Sequence, residues 1–261
     1  MDILQTIALK TKERVNEDKK MVSPKKMEQT ALSLDKGLGF PFEESLVSDD
    51  ISFICEIKKA SPSKGVIADD FNYLDIAKEY EEAGAAAISI LTEPYWFMGS
   101  DQYLKEIADI VSTPLLRKDF TIDSYMIYQA KVLGASAVLF ICALLDTGSL
   151  TEYINIAHGI GLSALVETHD ENELNMALES GARLIGVNNR NLKTFEVDTG
   201  VSIRLRKLAP SGIIFVSESG IKTPGDIELL RQNKVDAVLI GETLMRQADK
   251  KAALDHLRGR A

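Results

Sequence analysis

The chain has 261 residues, of which 45% are hydrophobic and 26% charged, a composition that is ordinary for a globular protein of one large or two small domains. The formal net charge of −9 argues against a nucleic-acid partner, because no excess of Lys and Arg is present to displace counterions from phosphates. The same charge leaves a small anionic ligand possible, since such a ligand is bound by local groups.

The N-terminus predicts neither a targeting signal nor a membrane segment. Residues 1–20 are charged throughout and lack an apolar core of signal-peptide length. No run in the chain approaches the ~18 apolar residues of a membrane span. The two cysteines, Cys55 and Cys142, lie in apolar runs and are interpreted as buried thiols. We therefore expect no membrane partner and a cytoplasmic location, where thiols stay reduced.

The first 50 residues are predicted to be helical. Ile3, Leu4, Ile7 and Ala8 recur at helical spacing and share one face. We interpret residues 1–50 as an extension whose helices pack on the rest of the chain. Residues 1–261 are then a single domain.

From residue 52 onward, short β-branched runs alternate with amphipathic helical stretches. The eight runs are 52–58, 86–91, 114–118, 137–141, 162–167, 183–187, 213–217 and 237–241. Strands that alternate with helices indicate βαβ units and a parallel sheet. Several runs are apolar at nearly every position, as expected when helices cover both faces of a sheet.

The predicted helices show an internal repeat. Gly84, Gly134, Gly181 and Lys234 each end a helix just before an even-numbered strand, at spacings of 50, 47 and 53 residues. Glycine suits the left-handed residue that closes a helix. A unit of ~50 residues with two βα pairs, repeated four times, predicts an α/β fold, a (β/α)8 TIM barrel over residues 51–261. A doubly wound open sheet is the alternative, but no GxGxxG follows the first strand.

Polar and ionisable residues stand at the C-terminal ends of the predicted strands, where barrels of this kind carry their chemistry. Side chains two apart in a strand share a face, so the inward face changes from apolar to charged at its end. The residues are Glu56, Lys58, Lys118, Glu167, Asn188, Arg190, Glu218 and Ser219. Two lysines and three glutamates that converge on one mouth suit proton transfer. For Glu56 and Lys58 alone, a solvated pair at a strand end is the alternative.

Glycines follow the last two strands, in SESG (217–220) and GETL (241–244). Backbone N–H groups at these turns favour an anion, and the loops after strands seven and eight are the usual phosphate site of such barrels. The alternative is that the glycines only make tight turns. No metal-ligand spacing and no flavin or nicotinamide fingerprint is present, so we expect no cofactor and no metal. His169 lies near a strand end, where a lone histidine is more often a loop residue than a base.

Seven stretches of the chain match the motifs of one enzyme family. They are EIKKASPSKG (56–65), LTEPYWFMGS (91–100), LRKDF (116–120), LVETH (165–169), GVNNRNL (186–192), VSESGI (216–221) and LIGETLM (239–245). Through them, and in the same order, the chain resembles indole-3-glycerol-phosphate synthase of tryptophan biosynthesis. The N-terminal ILQTI resembles the extra helix of that family.

The resemblance implies a carbon–carbon lyase, a carboxy-lyase that needs no cofactor. Its substrate would be 1-(o-carboxyphenylamino)-1-deoxyribulose 5-phosphate, which ring closure, decarboxylation and dehydration convert to indole-3-glycerol phosphate. Lys118 would protonate the ribulose carbonyl as the aromatic carbon attacks it. The division of acid and base roles among Glu56, Lys58 and Glu167 stays open.

The resemblance also implies roles for the other residues of the mouth. Asn188 and Glu218 would complete the catalytic set and, with Arg190 and Ser219, orient the anthranilate carboxylate and the sugar hydroxyls. The phosphate would be bound by Ser61, Gly220, Gly241 and Glu242, the last through its backbone N–H. The apolar wall for the aromatic ring would be formed by Phe97, Phe120 and Leu139.

Two other functions remain open from the sequence. A phosphoribosylanthranilate isomerase-like enzyme, or a tryptophan synthase α-type barrel, shares the phosphate turns, but such an isomerase would use a Cys/Asp pair where this chain has Glu and Lys. A catalytically silent barrel that only binds a phosphate ligand would keep the turns and lose the proton-transfer residues. We expect a phosphorylated small-molecule substrate and a monomer or weak homo-oligomer.

Overall fold

The structure is a computed structural model that describes residues 3–35, 39–68, 70–192 and 194–260. Within these residues, three helices precede the first strand: α1 Ile3–Met21, α2 Pro24–Ser33 and α3 Pro41–Leu46. The barrel strands are β1 Ser52–Ile57, β2 Ala87–Leu91, β3 Leu115–Lys118, β4 Ala137–Ile141, β5 Ser163–Thr168, β6 Leu184–Asn188, β7 Ile214–Glu218 and β8 Ala237–Ile240. The later helices are α4 Tyr73–Glu82, α5 Asp101–Ala108, α6 Ser124–Val132, α7 Thr147–Gly159, α8 Glu171–Glu179, α9 Gly200–Arg206, α10 Pro224–Gln232, α11 Glu242–Met245 and α12 Lys250–Leu257.

The eight strands close into a parallel barrel, which confirms the (β/α)8 prediction. Each strand pairs with its neighbours in sequence, and β8 pairs with β1, with Ile54 opposite Leu239. The other edge of β1 pairs with β2, with Ile54 opposite Ala87. Parallel pairing throughout places the C-terminal ends of all eight strands at the same end of the barrel, and the predicted polar residues therefore meet there.

The predicted repeat is visible in how the helices end. Gly84, Gly134, Gly181 and Lys234 follow α4, α6, α8 and α10 and have φ values of 74°, 90°, 82° and 57°. All four are left-handed, and the next residue donates a hydrogen bond back into the helix in each case, for example Ala85 N to Tyr80 O at 2.9 Å. This is the helix ending expected of glycine at these positions. Lys234 adopts the same left-handed conformation although it is not a glycine.

The apolar core has two layers because every barrel strand is covered on both faces. Inside the barrel, inward side chains such as Leu116, Leu165 and Val216 pack together, and all three are fully buried. A larger outer layer fills the space between strands and helices. At the N-terminal end of the barrel, Phe42 and Leu46 of α3 join the inner layer and are fully buried. The floor of the barrel is therefore closed, and its other end remains for a ligand.

The N-terminal helices pack on the barrel through buried and half-buried ion pairs. Arg14 of α1 contacts both carboxylate oxygens of Asp119 at 2.8 Å, and Lys19 pairs with Asp123 at 2.6 Å. These contacts support the interpretation of residues 1–261 as one domain, which stays a prediction. Within the described residues, no helix is long and apolar enough to cross a membrane.

Candidate active site

A cavity of about 790 Å³ opens at the C-terminal ends of the strands. Every site residue proposed from the sequence lines it. These residues are Glu56, Lys58, Ser61, Phe97, Lys118, Phe120, Leu139, Glu167, Asn188, Arg190, Glu218, Ser219, Gly220, Gly241 and Glu242. They come from loops and strands spread over almost 190 positions, and the barrel topology is what brings them together.

Lys118, the last residue of β3, is the cation at the centre of the cavity. Its Nζ lies 3.3 Å from Glu167 Oε2 and 3.6 Å from Glu218 Oε2. Burial by itself would lower the pKa of this amine, but attraction to nearby carboxylates, above all Glu167, outweighs it, and the pKa is raised above its usual value. Lys118 is therefore an ammonium at neutral pH and can donate a proton or a hydrogen bond.

Glu167 at the end of β5 is the anionic partner of Lys118. Burial would raise the pKa of this carboxyl, but the charges of Lys118 and His169 and a hydrogen bond from Asn188 lower it below its usual value. The side chain is 3% exposed. Glu167 is thus a buried carboxylate that stays ionised at neutral pH and can accept a proton.

Glu218 at the end of β7 is held in the opposite charge state. Burial, together with the nearby charges of Glu167 and Glu56, raises its pKa to about 8, although Lys118 opposes the shift. Its Oε1 is buried and has no hydrogen-bond partner among the described residues. Gly186 on β6 leaves room for this oxygen, because a Cβ at position 186 would lie 2.1 Å from Glu218 Oε1. Near neutral pH, Glu218 is a neutral acid with one unused oxygen.

Glu56 and Lys58 form a second ion pair at the end of β1. Lys58 Nζ lies 2.5 Å from Glu56 Oε1, and the two side chains are 17% and 5% exposed. Ser89 donates a hydrogen bond to the other oxygen of Glu56 at 3.5 Å. A Cβ on Gly241 would lie 2.4 Å from Glu56 Oε1, so this glycine makes room for the pair. The alternative of a solvated pair at a strand end is therefore wrong.

A polar cluster at the ends of β6 and β7 fixes the Asn188 side chain. Asn188 Oδ1 accepts hydrogen bonds from Ser219 Oγ at 2.9 Å and from the Arg190 backbone N–H at 3.1 Å. The Asn188 amide nitrogen is thereby turned towards Glu167. Ser219 has a left-handed φ of 69°, which an ordinary residue adopts only where its surroundings demand it.

Phe97, Phe120 and Leu139, for which the resemblance implies an apolar wall, all line the cavity. The two phenyl rings are 6.0 Å apart and tilted by 41°. A residue absent from the predicted set, Glu93, holds the loop that carries Phe97. Its buried carboxylate accepts three successive backbone N–H groups, those of Tyr95, Trp96 and Phe97, at 2.7–3.0 Å. An acidic residue just before Pro was the available sequence signal for this turn.

Two turns line the far end of the cavity. Thr243 Oγ1 donates to Ile221 O at 2.8 Å and ties the turn after β8 to the turn after β7. The Glu242 side chain is engaged with Arg246, whose Nε lies 3.1 Å from Oε1. At the start of α11 the N–H of Leu244 is bonded to Gly241 O at 3.1 Å, whereas the N–H groups of Glu242 and Thr243 have no partner among the described residues and are available to an anion. Lys222 and Arg246 also line this end and were not predicted.

Helix α1 supplies part of the wall, which the sequence did not predict. Ile3, Leu4 and Ile7 line the cavity. Their helical spacing identified the buried face of α1, but the spacing carries no information about which surface that face covers. The structure places it over the mouth of the barrel.

The chain is similar to known proteins over nearly its whole length. The family model of indole-3-glycerol phosphate synthase matches residues 4–257. An indole-3-glycerol phosphate synthase of Ruminiclostridium cellulolyticum is 60% identical over 259 residues, which cover 99% of this chain and 100% of that one. One of Endomicrobium trichonymphae is 55% identical over 247 residues, with 95% and 96% coverage.

Solved structures support the fold. A crystal structure of 3-hexulose-6-phosphate synthase has a TM-score of 0.66, covering 80% of this chain and 99% of that one, at 15% sequence identity. At that identity the likeness shows the barrel fold alone. The family match and the similar sequences cover nearly the whole chain, so the chain belongs to the indole-3-glycerol phosphate synthase family, decarboxylating lyases of tryptophan biosynthesis.

Proposed function

We propose that the Lys118–Glu167 pair carries the first proton transfers by which this chain turns 1-(o-carboxyphenylamino)-1-deoxyribulose 5-phosphate into indole-3-glycerol phosphate, carbon dioxide and water. The observation that carries the proposal is an ammonium and a carboxylate 3.3 Å apart, both largely buried, in the floor of a cavity with an apolar wall. Proton transfer requires a donor and an acceptor held in opposite charge states, and this pair supplies both.

Ring closure is the step assigned to Lys118. As the aromatic carbon attacks the ribulose carbonyl, the carbonyl oxygen gains negative charge, and the Lys118 ammonium gives it a proton. Loss of carbon dioxide from the attacking ring carbon then leaves the bonding electrons in the ring and restores aromaticity. Glu167 is ionised beside Lys118, so its negative charge keeps the amine protonated before the step.

Dehydration requires a second acid and a second base. The hydroxyl made by ring closure leaves as water once it is protonated, and a base removes a proton from the carbon beside the ring nitrogen. Lys58 and Glu56 form a separate pair that lines the same cavity. We assign the acid role in this step to Lys58 and the base role to Glu56, because the first pair is already engaged in ring closure.

The neutral state of Glu218 suits the orientation of an anionic substrate. An ionised carboxylate at this place would repel the anthranilate carboxylate, whereas a protonated one can donate a hydrogen bond from its unpaired oxygen. Arg190 and the Asn188–Ser219 pair supply further donors on the same side of the cavity. These groups orient the substrate so that the aromatic carbon faces the carbonyl.

The phosphate is assigned to the two linked turns, with Ser61 from the loop after β1 and the backbone at Gly220, Gly241 and Glu242. The Glu242 carboxylate contacts Arg246 and is not required as a ligand. Glu242→Ser keeps the N–H at the start of α11, so we expect KM to stay within a few-fold of the wild-type value. Steady-state kinetics on the purified variant measure this.

Gly241→Ala is the matched variant for that experiment. It also keeps the backbone N–H, but its Cβ would lie 2.4 Å from Glu56 Oε1 and 2.9 Å from Lys58 Nζ, so activity should fall strongly. A large rise in KM for Glu242→Ser would mean that the Glu242 side chain itself binds substrate.

The segment after β1 is assigned the role of a lid. Residues 60–61 and 65–66 form a short antiparallel pair, and Ser61, Pro62, Ser63 and Lys64 line the cavity. The connection between β1 and α4 includes position 69, which is outside the described residues. Closure over bound substrate would carry Lys58 into its working position and exclude water.

Hydrogen exchange tests the lid. Amides of residues 60–68 should exchange quickly in the free enzyme and several-fold more slowly with saturating indole-3-glycerol phosphate. Amides of helix α6 provide the internal control, because they lie outside the cavity lining. Equal exchange of residues 60–68 with and without this ligand would rule out closure.

One assay separates this function from its alternatives. Incubation with the substrate should give the ultraviolet absorbance and fluorescence of an indole. A phosphoribosylanthranilate isomerase-like enzyme and a silent phosphate-binding barrel would both give none. A phosphorylated small molecule is the substrate class that the family indicates, whereas a cytoplasmic location and a monomer or weak homo-oligomer stay predictions.

A further inference from the structure

His169 follows directly after β5 and lies between two carboxylates. Its Nδ1 is 2.9 Å from Glu173 Oε2, and its Nε2 is 3.4 Å from Glu167 Oε1. The other oxygen of Glu167, Oε2, faces Lys118 Nζ. The buried carboxylate of the proposed reaction therefore has an imidazole on one oxygen and an ammonium on the other.

The start of α8 fixes the orientation of the imidazole. Asp170 caps this helix by accepting a hydrogen bond from Glu173 N at 2.9 Å. The Glu173 carboxylate reaches back and accepts from the His169 backbone N–H at 2.8 Å, with the same oxygen that contacts Nδ1. Two contacts to one oxygen hold both the backbone and the ring of His169, as a capping box does with its own residues.

The Nε2 atom has no role in the packing of the protein. It is buried and makes no hydrogen bond within the part of the chain that the structure describes, and the side chain is 17% exposed. A buried polar atom without a partner is costly unless it is used. The group that it faces is the carboxylate of Glu167.

We propose that His169 is a positioning residue, which Glu173 holds so that Nε2 faces Oε1 of Glu167 and leaves Oε2 for Lys118. The inference rests on the proposed role of Glu167 in proton transfer. It also gives a purpose to the histidine that sequence reasoning set aside as a loop residue.

The charges around the imidazole favour its doubly protonated form. Glu173 on α8 contacts one ring nitrogen and Glu167 on β5 the other, with Glu218 on β7 further away, and only an imidazolium carries an N–H at both nitrogens. Burial would lower the pKa of His169, but these acceptors raise it above its usual value. Cys142 is a further titratable group in this region, and its thiol lies 3.6 Å from Glu173 O. In return, the charge of His169 lowers the pKa of Glu167.

The pH profile of kcat is the test, because it reports groups that titrate in the enzyme–substrate complex. His169→Leu removes the cation, so the pKa of Glu167 rises and the acidic limb of the profile should move up by about one pH unit. The kcat at pH 7 should fall about tenfold, while KM changes less than about threefold. His169→Gln offers a donor without charge and should recover part of the kcat but keep the shifted limb.

His158→Gln is the matched control, since His158 packs edge-to-face against Phe40 and does not line the cavity. Its profile should coincide with that of the wild type. An unshifted acidic limb in both His169 variants would overturn the proposal.

A second measurement separates this proposal from the proposed function. Side-chain carboxyl NMR on the ligand-free protein reports the pKa of Glu167 without turnover, and this pKa should be higher in His169→Leu. A wild-type enzyme that makes no indole contradicts the proposed function, whereas an unchanged Glu167 pKa contradicts the role of His169, whatever the activity.

Discussion

Lys118→Met should lower kcat by ~10² or more while KM changes by only a few-fold. Methionine has nearly the length of lysine and fits an apolar cavity, but it cannot donate a proton. The ammonium acts on the carbonyl oxygen as negative charge develops there, so its loss raises the barrier more than it weakens substrate binding. Steady-state kinetics over a range of substrate concentrations separate the two effects.

The loss of charge also changes the two carboxyls that Lys118 contacts. Without the cation, Glu167 and Glu218 lie close together in a buried site, and we expect them to share a proton over a wide pH range. The thermal midpoint of Lys118→Met should be measured beside its activity, so that a folding defect is not read as a catalytic one.

Two further variants serve as controls for the kcat of Lys118→Met. Lys118→Arg keeps the positive charge, but a guanidinium does not give up its proton, so its kcat should fall as well. Lys105→Met removes an exposed lysine of α5 with the same change of side chain and should leave kcat unaltered. Ordinary turnover by Lys118→Met would remove Lys118 from the proposed role.

The architecture was predictable because its signal is local and repeated. Helix ends at Gly84, Gly134 and Gly181 recur at nearly constant spacing, and each has the left-handed φ that the prediction requires. The candidate site was predictable for a related reason. A period of two in the strands indicates which residue at a strand end points inward, as it does for Lys118 and Glu167.

The residues that sequence reasoning missed depend on contacts between distant segments. Ile3 and Leu4 line the cavity although they precede the barrel, and His169 acquires its neighbours only when β5 and α8 are placed in the fold. Arg14 and Asp119 are 105 positions apart, and nothing in either local pattern indicates the other. The hydrophobic period of a segment indicates which of its residues are buried. It does not indicate which distant residue pairs with a buried charge, and only the three-dimensional structure shows that pairing.

The Arg14–Asp119 contact anchors helix α1 to the strand that carries Lys118. Asp119 is fully buried and accepts from Arg14 Nη2 at 2.8 Å on both oxygens, and from Thr92 Oγ1 at 2.6 Å. Arg117, also buried, lies 3.7 Å away. Burial would raise the pKa of Asp119, but the two arginines outweigh it and hold the pKa below its usual value. Asp119 thus contacts two buried or nearly buried cations, of which Arg117 also pairs with Asp101 at 2.7 Å.

Asp119→Asn should lower the free energy of unfolding by about 3–5 kcal/mol at pH 7. The amide has nearly the same shape, but it carries no charge and turns a donor towards groups that are themselves donors. Because the folded pKa of Asp119 lies below the unfolded value, its contribution is present above about pH 4 and is lost as the pH falls through the folded pKa. The difference in the free energy of unfolding between the variant and the wild type should therefore become smaller at acidic pH.

Urea unfolding at pH 7 measures the loss of unfolding free energy in Asp119→Asn, and the same measurement near pH 3 shows whether this loss becomes smaller in acid. Asp198→Asn is the matched control, because Asp198 pairs with Arg204 at 2.9 Å with both side chains 63% exposed. An exposed pair contributes about 0–1 kcal/mol, so that variant should unfold almost like the wild type. Equal small losses from the two substitutions would mean that α1 is held by its apolar face alone, and that the charge network at the end of β3 does not anchor it.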